Sequence, residues 1–186
     1  MENISQLPET IETKLIIKTQ LFEIEALQVR FSNGVERTLE RLRDNWPATV
    51  LIVPFSDAEN ILLIREYSAG TNQYELVFPT GRLNLRESIK DAANRELKEE
   101  VGFGANSLTI VKTLLVSPGH SNNKTHIVMA EELYEEKLSG DEPEPVQAFS
   151  WPIAKIDELI HSCDFNEARS VAALLLVKSF VEKREC

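Results

Sequence analysis

The sequence predicts an α/β protein in which a mixed β-sheet packs between helices, an α/β/α sandwich. Two near-continuous apolar runs, Thr49 to Phe55 and Ile61 to Tyr67, indicate central strands that are buried on both faces. Further short strand patterns are interleaved with two or three helix patterns, an order typical of this layered architecture. The chain has 186 residues, 42% of them hydrophobic, which is enough for a compact core.

The N-terminal region is predicted to form strands joined by a hairpin. Residues 1–18 are weakly patterned and fit either a mobile arm or a first strand. Phe22 to Phe31 alternates in the manner of a strand. Asn33-Gly34 is a strong hairpin signal, and the returning strand is expected at Val35 to Leu42.

The other elements are predicted from local periodicity. They are a strand at Tyr74 to Phe78, a helix at residues 88–101, strands at Leu108 to Leu115 and Thr125 to Ala130, and helices at Ile156 to His161 and Phe165 to Glu182.

Charge and composition exclude several classes of function. The formal net charge of −10 argues against a general nucleic-acid binder, because phosphate contacts need basic patches. No run of about 18 apolar residues occurs, so no membrane span is expected. The polar, acidic N-terminus shows no signal peptide. Cys163 and Cys186 lack metal or redox spacing and are interpreted as free thiols in a reducing cytoplasm.

The helix at residues 88–101 is the most informative element. Ser88 is a favourable N-cap residue, Asp91 partly mimics a capping box, and Gly102 suits the position after the helix. At about 100° per residue, one face of the helix carries an apolar stripe. The members of the stripe are Ile89, Ala93, Leu97 and Val101, with Ala92 at its edge.

Three glutamates lie on or beside that stripe. Glu100 falls near its middle, Glu96 about 20° outside Ile89, and Glu99 farther out on the same side. Two carboxylates about 6 Å apart repel by roughly 3 kcal/mol at an effective dielectric near 20, and partial burial adds a desolvation cost. Either these residues form a solvated face with i,i+4 pairs, or they bind a cation that prefers oxygen ligands, such as Mg²⁺ or Mn²⁺.

The residues around this helix resemble the motif of the Nudix hydrolase family, G-x5-E-x7-R-E-U-x-E-E-x-G-U, in which U is aliphatic or aromatic. Residues 81–103, GRLNLRESIKDAANRELKEEVGF, match it at every defining position. Residues 20–180 further resemble the ADP-ribose pyrophosphatase branch, notably in LIREY, YEL, GDEPEP and FNEARSVAAL. The resemblance implies the Nudix fold, which is the same α/β/α sandwich with a mixed sheet.

The resemblance also implies an activity and an assembly. We expect Mg²⁺-dependent hydrolysis, with Mn²⁺ as an alternative, of the diphosphate linkage in ADP-ribose, NADH or diadenosine oligophosphates, with release of AMP.

Members of the branch are usually homodimers that exchange N-terminal strands. Residues 1–45 are therefore expected to form a dimerisation arm and residues 46–186 the Nudix domain. The expected metal ligands are Glu96, Glu99, Glu100 and the backbone carbonyl of Thr80.

The catalytic base is expected among a few glutamates. The branch carries a catalytic glutamate in a loop, which Glu144 matches best and Glu142 second best. Glu99 is the other candidate. Arg95 is expected to pair with Glu87 or Glu99 and so to orient the metal ligands rather than to act on the substrate.

Substrate contacts are assigned by the same resemblance. Arg65 matches the arginine that contacts the diphosphate, and Glu75 is a candidate for contacting the base or ribose. Arg41 and Arg169 are weaker candidates, since a surface position on a helix or strand explains each of them better.

Two other kinds of function stay open at this level. One is a catalytically silent module that senses nucleotides, which the intact acidic trio disfavours. The other is a nucleotide-sugar or RNA-end pyrophosphohydrolase, of which the acidic surface makes RNA the less favoured substrate. The motif handles only the diphosphate, so the preferred substrate depends on loops near residues 117–124 and 139–147.

Overall fold

The computed structural model describes residues 6–43, 47–140 and 143–182. The chain divides into two compact units. The N-terminal unit contains residues 1–46 with residues 115–123, and the main unit contains residues 47–114 with residues 124–186.

Ten strands and three helices occur in these described residues. The strands are β1 Glu9–Lys18, β2 Glu23–Arg30, β3 Glu36–Leu42, β4 Thr49–Pro54, β5 Asn60–Ser68, β6 Gln73–Val77, β7 Thr80–Arg82, β8 Phe103–Leu115, β9 Lys124–Glu135 and β10 Gln147–Pro152. The helices are α1 Ile89–Glu100, α2 Ile156–Ile160 and α3 Ala168–Glu182, and a 3-10 turn at Ile153–Lys155 precedes α2. No helix in the described part of the chain is long and apolar enough to cross a membrane.

The N-terminal unit is built on an antiparallel sheet with the order β1-β2-β3. The predicted hairpin is confirmed, because Gly34 has a φ of 79° and its N–H donates to the Phe31 carbonyl at 2.9 Å. The Asn33 side chain accepts a hydrogen bond from the Val35 N–H at 3.0 Å. Of the two alternatives for the first residues, a strand is observed from Glu9 to Lys18.

The main unit contains the mixed sheet that the sequence predicts, with the order β7-β4-β9-β8. β4 runs parallel to β9 and antiparallel to β7. One face packs against α1 through Val50, Ile52 and Val128. The other face packs against α2 and α3 through Leu51 and Met129. Helices therefore cover both faces of the mixed sheet, which confirms the α/β/α arrangement.

A second sheet, with the order β10-β5-β6, is antiparallel throughout. The sequence predicts β5 as a buried central strand, and Ile61 to Ile64 are indeed buried. β5 is, however, the middle strand of this second sheet and does not belong to the mixed sheet. Hydrophobic periodicity reports the burial of a strand but not the identity of its neighbours, so the division into two sheets was not visible in the sequence.

Two strands were not predicted, and one helix begins later than predicted. β7 has three residues and is defined by its pairing with β4, and β10 is largely exposed and lacks a long apolar run. Helix α3 begins at Ala168 rather than at Phe165, because the Glu167 carboxylate accepts the Ser170 N–H at 2.8 Å and so caps the first turn. Phe165 instead fills the core beside Phe78, with ring centroids 5.8 Å apart.

Candidate active site

Helix α1 has well-defined ends, which fix the directions of its side chains. The Ser88 hydroxyl oxygen accepts the Asp91 N–H at 3.1 Å, and the hydroxyl donates to the Asp91 carboxylate at 2.6 Å. At the other end, Gly102 has a φ of 79° and donates its N–H to the Leu97 carbonyl at 3.1 Å. Both ends lie where the sequence predicts them.

Two of the three glutamates of the trio are buried, as their phase on the helix predicts. Glu96 is 7% exposed and Glu100 is 5% exposed, on the same helix face as the fully buried Leu97. The Glu100 carboxylate accepts a hydrogen bond from the Thr80 N–H at 3.3 Å, which connects α1 to β7. Glu99 is only partly buried, which agrees with its place farther from the apolar stripe.

Gly81 leaves the space that the Glu96 carboxylate occupies. A Cβ atom at position 81 would lie 1.8 Å from both Cδ and Oε1 of Glu96, a distance at which the carboxylate could not stay where it is. The first glycine of the motif is thus required by the close approach of a side chain to the backbone, not by a left-handed conformation.

The Arg95 guanidinium forms hydrogen bonds with the carboxylates of three glutamates. Its Nε donates to Glu87 at 2.9 Å, and its Nη1 donates to Glu96 at 2.7 Å and to Glu99 at 2.8 Å. Its Nη2 donates to Glu87 at 3.1 Å and to the Arg82 carbonyl at 2.9 Å. The sequence suggested Glu87 or Glu99 as the partner of Arg95, and the structure places both of them on it, together with Glu96.

These bonds shift the pKa values of both partners. The hydrogen bond with Glu87 is the main reason why the pKa of Arg95 is raised above its usual value. The bond with Arg95 likewise lowers the pKa of Glu87, assisted by the Asn84 N–H, which donates to Glu87 at 2.8 Å. Glu87 and Arg95 are therefore held as a charged pair beside the buried carboxylates.

The candidate ligands of a divalent cation are oxygen atoms of α1 and β7. They are the carboxylate oxygens of Glu96, Glu99 and Glu100 and the carbonyl oxygen of Thr80, a donor set of the type that Mg²⁺ and Mn²⁺ prefer. Within residues 6–43, 47–140 and 143–182, no group of three or more His, Cys, Asp or Glu side chains is already arranged to hold a metal. Arg95 bonds one oxygen of Glu96 and one of Glu99, so a cation here must use other oxygens or displace those bonds.

Glu144 lies in a pocket of about 530 Å³ in the main unit. Its carboxylate accepts a short hydrogen bond from the Tyr74 hydroxyl, and this bond raises the pKa of the Tyr74 phenol. Glu142, the second candidate for this loop, lies outside the described residues. The pocket is lined by Arg65, Glu66, Tyr67, Tyr74, Pro143, Glu144, Pro145, Val146 and Gln147.

Of the two stronger candidates for substrate binding, Arg65 lines this pocket and Glu75 does not. The Arg65 guanidinium lies 5.8 Å from the centre of the Phe149 ring and 3.7 Å from the Asp164 carboxylate. Glu75 follows Tyr74 on β6, and successive strand residues point to opposite faces. Glu75 lies directly opposite Glu66 in the pairing of β5 with β6.

Arg41 and Arg169 are engaged in local ion pairs. In the N-terminal unit, Arg41 bonds the buried carboxylate of Glu25, its partner across β2 and β3, at 2.7 Å. In α3, Arg169 bonds Glu167 at 2.7 Å. Burial opposes ionisation of Glu167, but the bond and charge of Arg169, together with the hydrogen bonds from Ser170, outweigh it and lower the pKa of Glu167.

Tyr74 was not predicted from the sequence as a hydrogen-bond partner of Glu144. Tyr74 and Glu144 are 70 residues apart, and neither periodicity nor the motif connects them. Tyr74 and Tyr67 are direct neighbours across β5 and β6 with ring centroids 5.8 Å apart, so pairing of these strands decides which aromatic ring reaches the loop.

Comparisons with known proteins identify the family of this chain. Residues 45–174 match the NUDIX domain, and residues 8–41 match the NudE-type Nudix hydrolase N-terminal domain. The chain is 46% identical over 182 residues to the ADP compounds hydrolase NudE of Escherichia coli, covering 98% of this chain and 97% of that protein. It is 27% identical over 173 residues to the ADP-ribose pyrophosphatase of Bacillus subtilis, covering 89% of this chain and 92% of that protein. A crystal structure of an ADP compounds hydrolase superposes with a TM-score of 0.94 at 45% identity, covering 98% of both chains.

Replacement of Gly81 by alanine should disturb the buried carboxylate beside it. We expect Gly81→Ala to lower the free energy of unfolding by about 1–3 kcal/mol, because the new Cβ overpacks the space of Glu96. Mn²⁺ binding measured by calorimetry should weaken as well. Gly70→Ala is the matched control, because its Cβ would meet nothing closer than 3.9 Å. Equal unfolding curves for the two variants would contradict this account of Gly81.

The Glu87–Arg95 pair should make stability depend on pH. Because the pKa of Glu87 is lowered from about 4.5, its contribution is complete above that pH and is lost as the pH falls through the folded-state value. We expect Glu87→Gln to cost about 1–3 kcal/mol at pH 7, and the difference from wild type to shrink in acid denaturation series below pH 4.5. Glu9→Gln, which removes an exposed pair with Arg30, should show little difference at any pH. A Glu87→Gln difference that stays constant down to acid pH would exclude this linkage.

Proposed function

Because this chain belongs to the Nudix hydrolase family, we propose that it hydrolyses the diphosphate linkage of ADP-containing nucleotides such as ADP-ribose, NADH and diadenosine oligophosphates, releasing AMP. The observation that carries the proposal is the buried pair Glu96 and Glu100, with Glu96 seated on Gly81. The similarity to an ADP compounds hydrolase over nearly the whole of both chains supports the substrate class. The net charge of −10 favours a small nucleotide over a nucleic acid.

The cofactor of this proposal is a divalent cation, Mg²⁺ or Mn²⁺. Glu96 and Glu100 would hold it, together with Glu99 and the carbonyl oxygen of Thr80. When bound, it would neutralise phosphate oxygens and lower the pKa of a water molecule. Arg95 contributes by keeping Glu96 and Glu99 oriented, and it acts through these carboxylates rather than on the substrate.

The proton of the attacking water passes to Glu144 or Glu99. Both carboxylates are already engaged, Glu144 by Tyr74 and Glu99 by Arg95. A carboxylate that takes up the proton of water must accept it within hydrogen-bond distance. Each of these bonds uses one carboxylate oxygen, so the base can accept the proton on its second oxygen or release its present partner during the reaction.

The substrate is recognised mainly by Arg65 in this proposal. Its guanidinium lines the pocket that also holds Glu144, and arginine forms paired hydrogen bonds with phosphate oxygens. Glu75, Arg41 and Arg169 remain candidates for contacts with the base, the ribose or the phosphates. The local ion pairs of Arg41 and Arg169 make these two the weaker candidates.

The proposed compartment is a reducing cytoplasm. Cys163 is a free and exposed thiol, and Cys186 lies outside the described residues. Such a compartment keeps an exposed thiol reduced.

The proposed chemistry is tested with a panel of substrates in the presence of Mg²⁺ or Mn²⁺. ADP-ribose, NADH, diadenosine oligophosphates and nucleotide sugars are supplied, and the released monophosphates are measured. We expect Glu100→Gln to retain less than about 1% of wild-type turnover, since even residues that only orient metal ligands contribute tenfold to a hundredfold. The metal-free variant should unfold no more readily than wild type, because a buried charge has been removed.

Controls separate this proposal from its alternatives. Glu158→Gln, at an exposed helix position, should be as active as wild type. Normal turnover by Glu100→Gln would disprove the metal assignment. Nucleotide binding without hydrolysis by the wild-type protein would instead indicate a sensing module, and a preference for nucleotide sugars would indicate a nucleotide-sugar pyrophosphatase.

The same assay assigns the base. Loss of the base lowers kcat and removes the acidic limb of the pH–rate profile while the Mg²⁺ requirement stays unchanged. Loss of a metal ligand raises the Mg²⁺ concentration needed for half-maximal activity. Comparison of Glu144→Gln with Glu99→Gln therefore shows which residue has which role.

We further propose that the protein is a homodimer that associates through residues 1–45. β1 is an edge strand of the N-terminal sheet and is exposed along its whole length. Its large apolar residues Ile11, Leu15, Ile16 and Ile17 are each 40–50% exposed. A long apolar edge strand is a template for pairing with another chain, and a second copy of this chain supplies the same strand.

Light scattering tests the dimer directly. The wild-type protein should have twice the mass of one chain, and Leu15→Lys combined with Ile17→Lys should reduce it to the monomer. Leu175→Lys, which places a charge at a similarly exposed position of α3, should leave the mass unchanged. A wild-type monomer at all protein concentrations would rule the dimer out.

A further inference from the structure

We propose that Lys137 is a positioning residue that holds the last turn of α1, and with it Glu99 and Glu100, in the arrangement needed for metal binding; this rests on the function proposed above. The Lys137 Nζ donates to the backbone carbonyl of Glu99 and lies 3.5 Å from the carbonyl oxygen of Glu100. Carbonyls in the last turn of a helix lack partners within the helix. A lysine at this end also interacts favourably with the helix dipole.

Lys137 belongs to a short segment, residues 134–138, that runs along the C-terminal end of α1. We call it the clamp segment. Its backbone bonds the helix end twice, from the Glu136 N–H to the Gly102 carbonyl and from the Leu138 N–H to the Lys98 carbonyl, both at 3.0 Å. Lys137 lies between these two bonds in the sequence, so its side chain starts from a fixed backbone position.

Side chains on both sides complete the contact. Lys98 of α1 forms an ion pair with Glu136 at 2.8 Å and lies 5.6 Å from the centre of the Tyr134 ring. Two glycines make room for the clamp segment. A Cβ at Gly104 would lie 2.4 Å from Cζ of Tyr134, and a Cβ at Gly102 would lie 3.3 Å from Cδ of Lys137.

A local irregularity in β9 precedes the clamp segment. Glu132 has a φ of 56°, in the left-handed region that non-glycine residues rarely adopt. Its carbonyl accepts a hydrogen bond from the Asn106 side chain at 3.3 Å. A residue of this kind bends a strand and redirects the residues that follow, here those that reach the end of α1.

The bonds of Lys137 affect metal binding because they act on the backbone of two proposed metal ligands. Lys137 touches the main chain of the two residues whose carboxylates are proposed metal ligands, and not the carboxylates themselves. Loss of the bond makes the last turn of the helix more mobile. Binding of the cation would then have to order Glu99 and Glu100, and this cost lowers the affinity for the metal. Lys137 acts through Glu99 and Glu100 and is not a catalytic residue.

Three substitutions separate the hydrogen bond from the charge of Lys137. Lys137→Arg keeps both, Lys137→Gln keeps a donor without the charge, and Lys137→Met removes both. Lys178→Met is the matched control, since it removes an exposed lysine that pairs with Asp157 at 3.0 Å. The measurements are the dissociation constant of Mn²⁺ by calorimetry without substrate, and hydrogen exchange of the Val101 and Gly102 amides in the metal-free protein.

If Lys137 positions the helix end, Lys137→Met weakens Mn²⁺ binding about tenfold, at the lower end of what residues that orient metal ligands contribute. Lys137→Gln falls between Met and wild type, and Lys137→Arg and Lys178→Met bind as wild type does. Exchange of the Val101 and Gly102 amides, both of which donate to the Leu97 carbonyl, becomes faster in Lys137→Met. Turnover at saturating Mg²⁺ changes less than the Mg²⁺ concentration required.

Two outcomes overturn the inference. Tighter Mn²⁺ binding by both Lys137→Met and Lys137→Gln would show that the lysine charge merely repels the cation. Unchanged binding in all three variants would show that the contact is only part of the surface. In either case, Glu100→Gln should still lack turnover if the proposed function is right, so failure of one idea is distinguishable from failure of the other.

Discussion

The bonds of the Arg95 guanidinium are the interaction on which the acidic helix depends. Without a cation, the carboxylates of Glu87, Glu96 and Glu99 would repel one another in a partly desolvated place. The planar guanidinium has five donors and makes five bonds here, whereas a lysine has only three donors. The same group bonds the Arg82 carbonyl, so it also ties α1 to β7. One side chain therefore balances the charge of three glutamates and also helps to position the helix.

Glycines, which have no side chain, are as important as Arg95 for the packing around the acidic helix. Glu96 occupies the place of a missing Cβ at Gly81, and Tyr134 occupies the place of one at Gly104. At Gly102 the backbone also needs a positive φ to end the helix. These glycines let α1 and the residues that flank it pack closely, at Gly81 before the helix and against the end of β9 and Lys137 after it. The acidic residues thus lie on a helix that is held at both ends, which limits how far the ligands of a cation can move.

The helix itself could be predicted almost entirely from the sequence, and the site only in part. Ser88 and Gly102 give the bounds of α1, and the helical period shows that Glu96 and Glu100 share the buried face, because these are local properties of consecutive residues. The contact between Glu144 and Tyr74 could not be foreseen, since it depends on the pairing of β5 with β6 and on the path of a loop. The strand β10 was missed for the same reason, because an exposed strand is recognised by its partner rather than by its own pattern.

By itself, the sequence determined the family, the α/β class and the ends of the acidic helix, and it predicted the residue types for binding a divalent cation and a diphosphate. These follow from spacing along the chain, where the helical repeat converts position directly into direction. Only the tertiary structure decided that Arg95 bonds three glutamates at once, that Arg41 and Arg169 are occupied by neighbouring carboxylates, and that Lys137 reaches the end of α1. Each of these contacts depends on which elements pack together, and packing between residues distant in sequence leaves no periodic signal in the chain.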